Sequence, residues 1–111
     1  MSMRPQFHFT ARSGWINDPH GITFRDGRYH VFFQYVPDST AWAPNCHWGH
    51  ATGNDLIALD EGPVAIAPGE GDGGIWTGSL VTDDSGSTRI LYTSTSDPDI
   101  GMGRIRIATP V

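Results

Sequence analysis

In RYHVFFQY (28–35), Tyr29, Val31, Phe33 and Tyr35 fall on one face of an extended chain, and His30, Phe32 and Gln34 on the other. A period of two predicts a strand. ITF (22–24) precedes it across Arg25-Asp26-Gly27, tight-turn chemistry with glycine where the backbone must turn sharply. The pair reads as a β-hairpin, and the pattern then returns. GSLVT (78–82) leads through DDSGS into TRILYTST (88–95), so that Gly21 aligns with Gly78, Gly27 with Gly86 and Phe33 with Tyr92. The offset is 57 to 59 residues, longer than the roughly 40–50 of a propeller blade; the loop from Val36 to Cys46 accounts for the excess.

Repetition of a hairpin unit is what most restricts the fold, because one sheet cannot bury its own faces. Two such units predict an all-β chain of successive propeller blades, with a small β-sandwich as the alternative the pattern leaves open. The first unit takes strands near 22–24, 28–35, 46–52 and 63–67. The second takes 78–82, 88–95 and RIRIATPV (104–111), where Ile105 and Ile107 alternate with Arg104 and Arg106. NDLIALDEG (54–62) is the longest helix-compatible piece, a single turn that Asp55 can cap before Gly62 and Pro63. Fourteen Gly and eight Pro fit a chain of short strands and turns, and 111 residues suffice for one small domain.

Charge narrows the partners. The net charge is −5, all seven cations are Arg, and ten of the twelve acids are Asp. Such a surface repels a phosphate backbone, so no nucleic-acid partner is expected. No run approaches the ~18 apolar residues of a membrane helix, and no membrane partner is expected. The start, MSMRPQFHFTARSG, lacks the apolar core of a secretory signal; Cys46 is the sole cysteine and no Asn-x-Ser/Thr occurs. These features predict a cytoplasmic chain, complete or cut from a longer one.

WINDPHG (15–21) is the densest candidate site. Asp18-Pro19 starts a turn well, because the ring fixes its own φ and pushes the preceding residue toward extended geometry. Gly21 supplies any left-handed conformation. Trp15 and His20 are not required by a turn, so a plain turn and a site both stand at this point. Glycoside hydrolysis usually needs two carboxyl groups. Asp18 is one candidate, whereas Glu61 and Glu70 lie in Gly/Pro-rich loops and read as solvated. Of the four tryptophans, Trp48 lies in a strand-like run and reads as core. Trp42 and Trp76 stand beside loop residues, where an indole can stack on a sugar ring. Cys46, His47 and His50 lack zinc-motif spacing, and on a strand His47 and His50 face opposite sides, so no metal is expected. GEGDGG (69–74) lacks the Lys-Ser/Thr of a phosphate loop and reads as a flexible connection. No Ser stands in a nucleophile-elbow pattern.

WINDPHG, FFQYVP, NCHWGHA and GIWTGS, in that order, resemble the opening of glycoside hydrolase family 32, the β-fructofuranosidases (invertases, inulinases and levanases). The resemblance spans Trp15 to about Thr95. It implies that residues 1–111 are the N-terminal portion of the family's five-bladed β-propeller catalytic domain, namely the first blade and most of the second. It also implies a β-fructoside substrate (sucrose, inulin or levan), a retaining mechanism and no cofactor. Asp18 matches the nucleophile, Asn17 a residue that hydrogen-bonds fructose hydroxyls, and Gln34 and Trp42 residues lining the fructose pocket. Trp76 and Thr77 match the aromatic-Ser pair of the second blade. Three departures stand out: His20 replaces the usual second Asn, Val36 the Asn of the QYNP-like segment, and Thr77 the Ser. DLIAL (55–59) also lacks the His-Trp that commonly closes its segment. The family's Arg-Asp-Pro and Glu-Cys, which carry the transition-state stabiliser and the acid/base, have no counterpart; Arg25-Asp26-Gly27 is a hairpin turn. The resemblance therefore predicts an incomplete site, inactive alone, whose partners are missing blades or further copies. A non-catalytic carbohydrate-binding β-module is the alternative, and a structural domain in which WINDPHG is only a turn is the third.

Overall fold

Both hairpins form where the glycine turns lie. The computed structural model describes residues 8–109. Among these the chain forms β1 (Trp15–Arg25), β2 (Arg28–Val36), β3 (His47–Gly53), β4 (Asp60–Glu61), β5 (Asp72–Thr82), β6 (Thr88–Ser96) and β7 (Gly103–Ala108). Gly27 and Gly86 adopt φ of 77° and 86° in the two turns, the left-handed region open to glycine without a Cβ clash. The strands build two antiparallel sheets, a four-stranded one in the order β1-β2-β3-β4 and a three-stranded one in the order β5-β6-β7. These are the expected first blade and most of a second.

Several boundaries differ from the sequence expectation. WINDPHG is not a turn but the opening half of β1. Pro19 is tolerated because β1 is an edge strand and can do without one N–H. The fourth strand of the first sheet is Asp60–Glu61 rather than 63–67; Pro63 and Pro68 bracket that run, and only Ile66 pairs, in an isolated bridge to Trp48. The second unit starts at Asp72, six residues before Gly78. β7 ends at Ala108, and Pro110 and Val111 lie outside the described residues. No helical turn forms at 54–62: Asp55 Oδ1 accepts from Ile57 N (2.8 Å) and Ala58 N (2.7 Å), closing a side-chain-capped turn that goes no further.

The segment read as a flexible connection is anchored. Asp72, half-buried with its side chain largely covered, accepts from the Gly69 amide at 2.9 Å, from the Ser94 hydroxyl and from Arg106 Nη1 at 3.1 Å. One carboxylate thereby joins β5, β6 and β7. Burial pushes its pKa up, but these donors outweigh it and hold the group below the usual carboxylate range. Glu61 is not a solvated loop acid either. It lies on β4 and accepts from the Arg12 amide at 2.8 Å, with Arg12 Nε at 3.5 Å.

The alternation read in 28–35 sorts β2 onto two cores. Phe33 and Tyr35 pack with Ala11 and Ala51, flanked by Phe9, Ile16 and Leu59. Phe32 turns to the opposite side and joins Trp48, Ile75, Ile90 and Tyr92 between the sheets. Trp48 is 0% exposed, and its indole donates to Trp76 O across the interface at 2.8 Å. The far face of the second sheet stays open, with Ile105 and Ile107 both exposed.

Trp48→Ala is expected to destabilise the chain by about 3–5 kcal/mol, the range for emptying a large aromatic site. Trp42→Ala, at a residue 48% exposed, should cost under about 1 kcal/mol. Urea unfolding followed by near-ultraviolet circular dichroism distinguishes the two.

Candidate functional site

The register of β1 against β2 breaks twice. Asn17 pairs with Gln34 and Pro19 with Phe33, leaving Asp18 as an extra residue; a second shift falls between His20 and Thr23. Asp18 has φ of 48°, contrary to the extended geometry expected before proline. The bulge overrides that preference, at the ~1–3 kcal/mol typical of a non-glycine residue held in this region. β5 repeats the device. Its register shifts between Ile75 and Gly78, leaving Trp76 and Thr77 unpaired. The two bulges meet: Thr77 Oγ1 donates to Asp18 Oδ2 at 3.5 Å, 59 residues apart, the repeat offset read from the sequence.

Between them lies a cavity of about 310 Å³ lined by Asn17, Asp18, Gln34, Trp42, Trp76, Thr77 and Thr93. The six residues singled out in the sequence all line it. Thr93 was missed, because in TRILYTST nothing sets it apart from its neighbours. The volume is in the range of small-molecule sites. A second hollow of about 340 Å³ lies against Phe9, Ile16, Val31, Phe33 and Leu59 and converges no charged group.

Hydrogen bonds fix the sense of both amides. An indole N–H can only donate, so the Asn17 atom 3.1 Å from Trp15 Nε1 is the carbonyl oxygen, and the Asn17 NH₂ has no partner among the described residues. A backbone carbonyl can only accept, so Gln34, buried, donates its NH₂ to Ile75 O at 3.1 Å, and its own oxygen has no partner among the described residues. The cavity thus offers a donor amide, an acceptor amide, a carboxylate, two hydroxyls and two indoles. That set suits a polyhydroxylated ligand with apolar C–H faces.

His20 lies beneath this region, its ring 4.2 Å from that of Trp48. Both of its nitrogens are buried without a partner among the described residues. Burial lowers its pKa to about 4, against the upward pull of the Asp18 charge. The residues once weighed as metal ligands point to separate partners. Cys46 Sγ donates to Ala43 O (3.2 Å), His47 Nδ1 to Asn45 O (3.0 Å), and His50 Nε2 hydrogen-bonds His30 Nδ1 (3.0 Å).

The family model for the N-terminal domain of glycosyl hydrolases family 32 matches residues 8–105. Invertase 2 of Saccharomyces cerevisiae is 42% identical over 99 residues, covering 87% of this chain and 18% of that protein. The levanase of Bacillus subtilis is 45% identical over 85 residues, covering 77% and 12%. The solved structure of the β-fructofuranosidase of Schwanniomyces occidentalis, complexed with fructosyl-erythritol, superposes with a TM-score of 0.85 at 35% identity; the match covers 96% of this chain and 23% of that one. The chain therefore spans less than a quarter of the length of these relatives.

The buried imidazole generates a pH prediction. His20 titrates near 4 when folded and near 6.5 when unfolded, so the unfolded state takes up the proton first. Its contribution to stability is full above pH 6.5, falls as pH drops through the window from 6.5 to about 4, and is flat below. His50, also lowered by burial and by His30, adds to the same slope. Thermal midpoints measured across this window should decline in the wild type and decline less in His20→Asn.

Proposed function

The chain belongs to glycoside hydrolase family 32, and from that premise we propose that it supplies the nucleophile-bearing face of a retaining β-fructofuranosidase. The observation that carries this reading is the convergence of Asp18, on its strained bulge, with Asn17, Gln34, Trp42, Trp76 and Thr77 on one cavity fed by both sheets. An Asp18 carboxylate oxygen attacks the anomeric carbon of the fructosyl unit as the bond to the leaving oxygen breaks. The leaving oxygen takes up a proton from a general acid, and water then hydrolyses the fructosyl ester. The Asn17 NH₂ donates to a sugar oxygen, the Gln34 carbonyl accepts from a hydroxyl, and the indoles of Trp42 and Trp76 face the sugar's C–H surface.

The proton donor is the missing part. Glu61 is committed to Arg12, and neither it nor Glu70 lines the cavity. General acid catalysis is typically worth 10²–10⁴-fold, so this chain alone binds a β-fructoside and turns it over negligibly. A purely binding role is the second reading, favoured because Asp18 is the one carboxylate among the seven lining residues. The open Ile105 and Ile107 face supports packing against a further sheet, from a longer chain or another copy.

Incubated with sucrose, inulin or levan, the chain should release no fructose, while calorimetric titration with fructose should show saturable binding that Asp18→Ala weakens. Fructose release that Asp18→Ala abolishes would overturn the claimed inactivity. Unchanged binding in Asp18→Ala would remove the carboxylate from the site. Ile105→Thr combined with Ile107→Thr should reduce any concentration-dependent association seen by sedimentation.

A further inference from the structure

We propose that Trp76 is a positioning residue, whose indole N–H clamps the loop 42–46 onto β5 and so holds Trp42 as a wall of the Asp18 cavity. The proposal rests on the sugar-binding reading above, and it reassigns what the polar end of Trp76 does there.

An indole has one hydrogen to donate. In Trp76 it is committed: Nε1 lies 2.9 Å from Pro44 O, so it has none left for a sugar oxygen. The same loop is fastened beside this bond, with Ile75 N donating to Cys46 O at 2.8 Å and Cys46 Sγ donating back to Ala43 O at 3.2 Å. The approach is close enough to require Gly74, since a Cβ there would lie 1.9 Å from Pro44 O. These contacts lie against the β5 bulge that displays Trp76 and Thr77.

Trp42 depends on this clamp. Residues 37–46 carry no strand pairing, so no ladder fixes the loop. Trp42 is half exposed and meets Trp76 edge-on, with ring centroids 6.2 Å apart and planes at 64°. Its indole also hydrogen-bonds the Cys46 sulfur of the same loop, so its geometry follows the backbone that Trp76 and Ile75 hold. Gln34 completes the support by donating to Ile75 O, so the strand that anchors the loop is itself tied to β2.

The test uses the full chain labelled with 5-fluorotryptophan, its four ¹⁹F resonances assigned from single variants, and fructose as the probe ligand. Trp76→Phe keeps an aromatic ring and removes the N–H. It should move the Trp42 resonance toward the free-amino-acid value, leave that of buried Trp48 in place, and weaken fructose binding about fivefold, the usual effect of one hydrogen bond. In a Trp42→Ala background the same substitution should change affinity less than about twofold, because the phenyl ring keeps the aromatic face and the lost N–H then has no indole to position. An unmoved Trp42 resonance overturns the clamp. Equal losses in both backgrounds overturn it too, since the Trp76 N–H would then act on the sugar directly and not through Trp42. If the wild type binds no fructose, the sugar-binding reading fails for this chain, and the Trp42 resonance alone decides the clamp. Should Trp76→Phe disturb the Trp48 signal, Trp76→Tyr is the second variant, with ring bulk and no ring N–H.

Discussion

The indole of Trp48 is the contact on which the rest of the molecule depends. Its rings fill the space between the two sheets against Phe32, Ile75 and Tyr92, and its N–H reaches the Trp76 carbonyl. Neither sheet could bury that face alone. Apolar burial brings the sheets together, at roughly 25 cal/mol per Å² removed from water, but it has no direction. The hydrogen bond supplies one by fixing which residue of β5 stands opposite β3. With that register set, the bulge of β5 faces the bulge of β1, and Thr77 comes within reach of Asp18. The cavity is therefore a product of inter-sheet packing, and neither hairpin possesses it separately.

The bulges convert ordinary strands into a site. A regular strand sends successive side chains to opposite faces, which would turn Asn17 and Asp18 apart. The extra residue at Asp18 lets both line one cavity. Asp is among the few side chains that tolerate the left-handed region. The strain recorded by its φ is held by the paired residues on either side, Asn17 with Gln34 and Pro19 with Phe33. Two bulges at equivalent places in the repeat show one local device serving two ends, a carboxylate in the first sheet and an indole with a hydroxyl in the second.

Much of this was legible from the residues alone. The alternation in 28–35 assigned Phe32 and Phe33 to opposite faces, and they belong to different clusters. Gly27 and Gly86 marked both hairpin turns, and the tryptophan in the strand-like NCHWGHA run is the buried one. The misreadings share a cause. Pro19 argued for a turn because local rules do not know that β1 is an edge strand. The fourth strand expected near 63–67 carries Pro63 at its head and Pro68 just after it, and their missing donors leave it a single bridge to Trp48. Glu61 read as a solvated loop acid, and the segment holding Asp72 as a flexible connection, because their partners, Arg12, Ser94 and Arg106, are distant in sequence.

By itself the sequence determined what is local: strand period, turn positions, the repeat, and, through the order of its four motifs, membership of a fructoside-cleaving family. Strand period and turn positions follow from backbone sterics and side-chain alternation, which act over a few residues, whereas the family was read by resemblance of the motifs. Only the tertiary structure decided that Asp18 bulges into the left-handed region, that both His20 ring nitrogens are buried without a partner among the described residues, and that the Trp76 N–H is committed to Pro44. Each of those depends on which backbone lies opposite, and that is fixed when two sheets exclude water from a shared face.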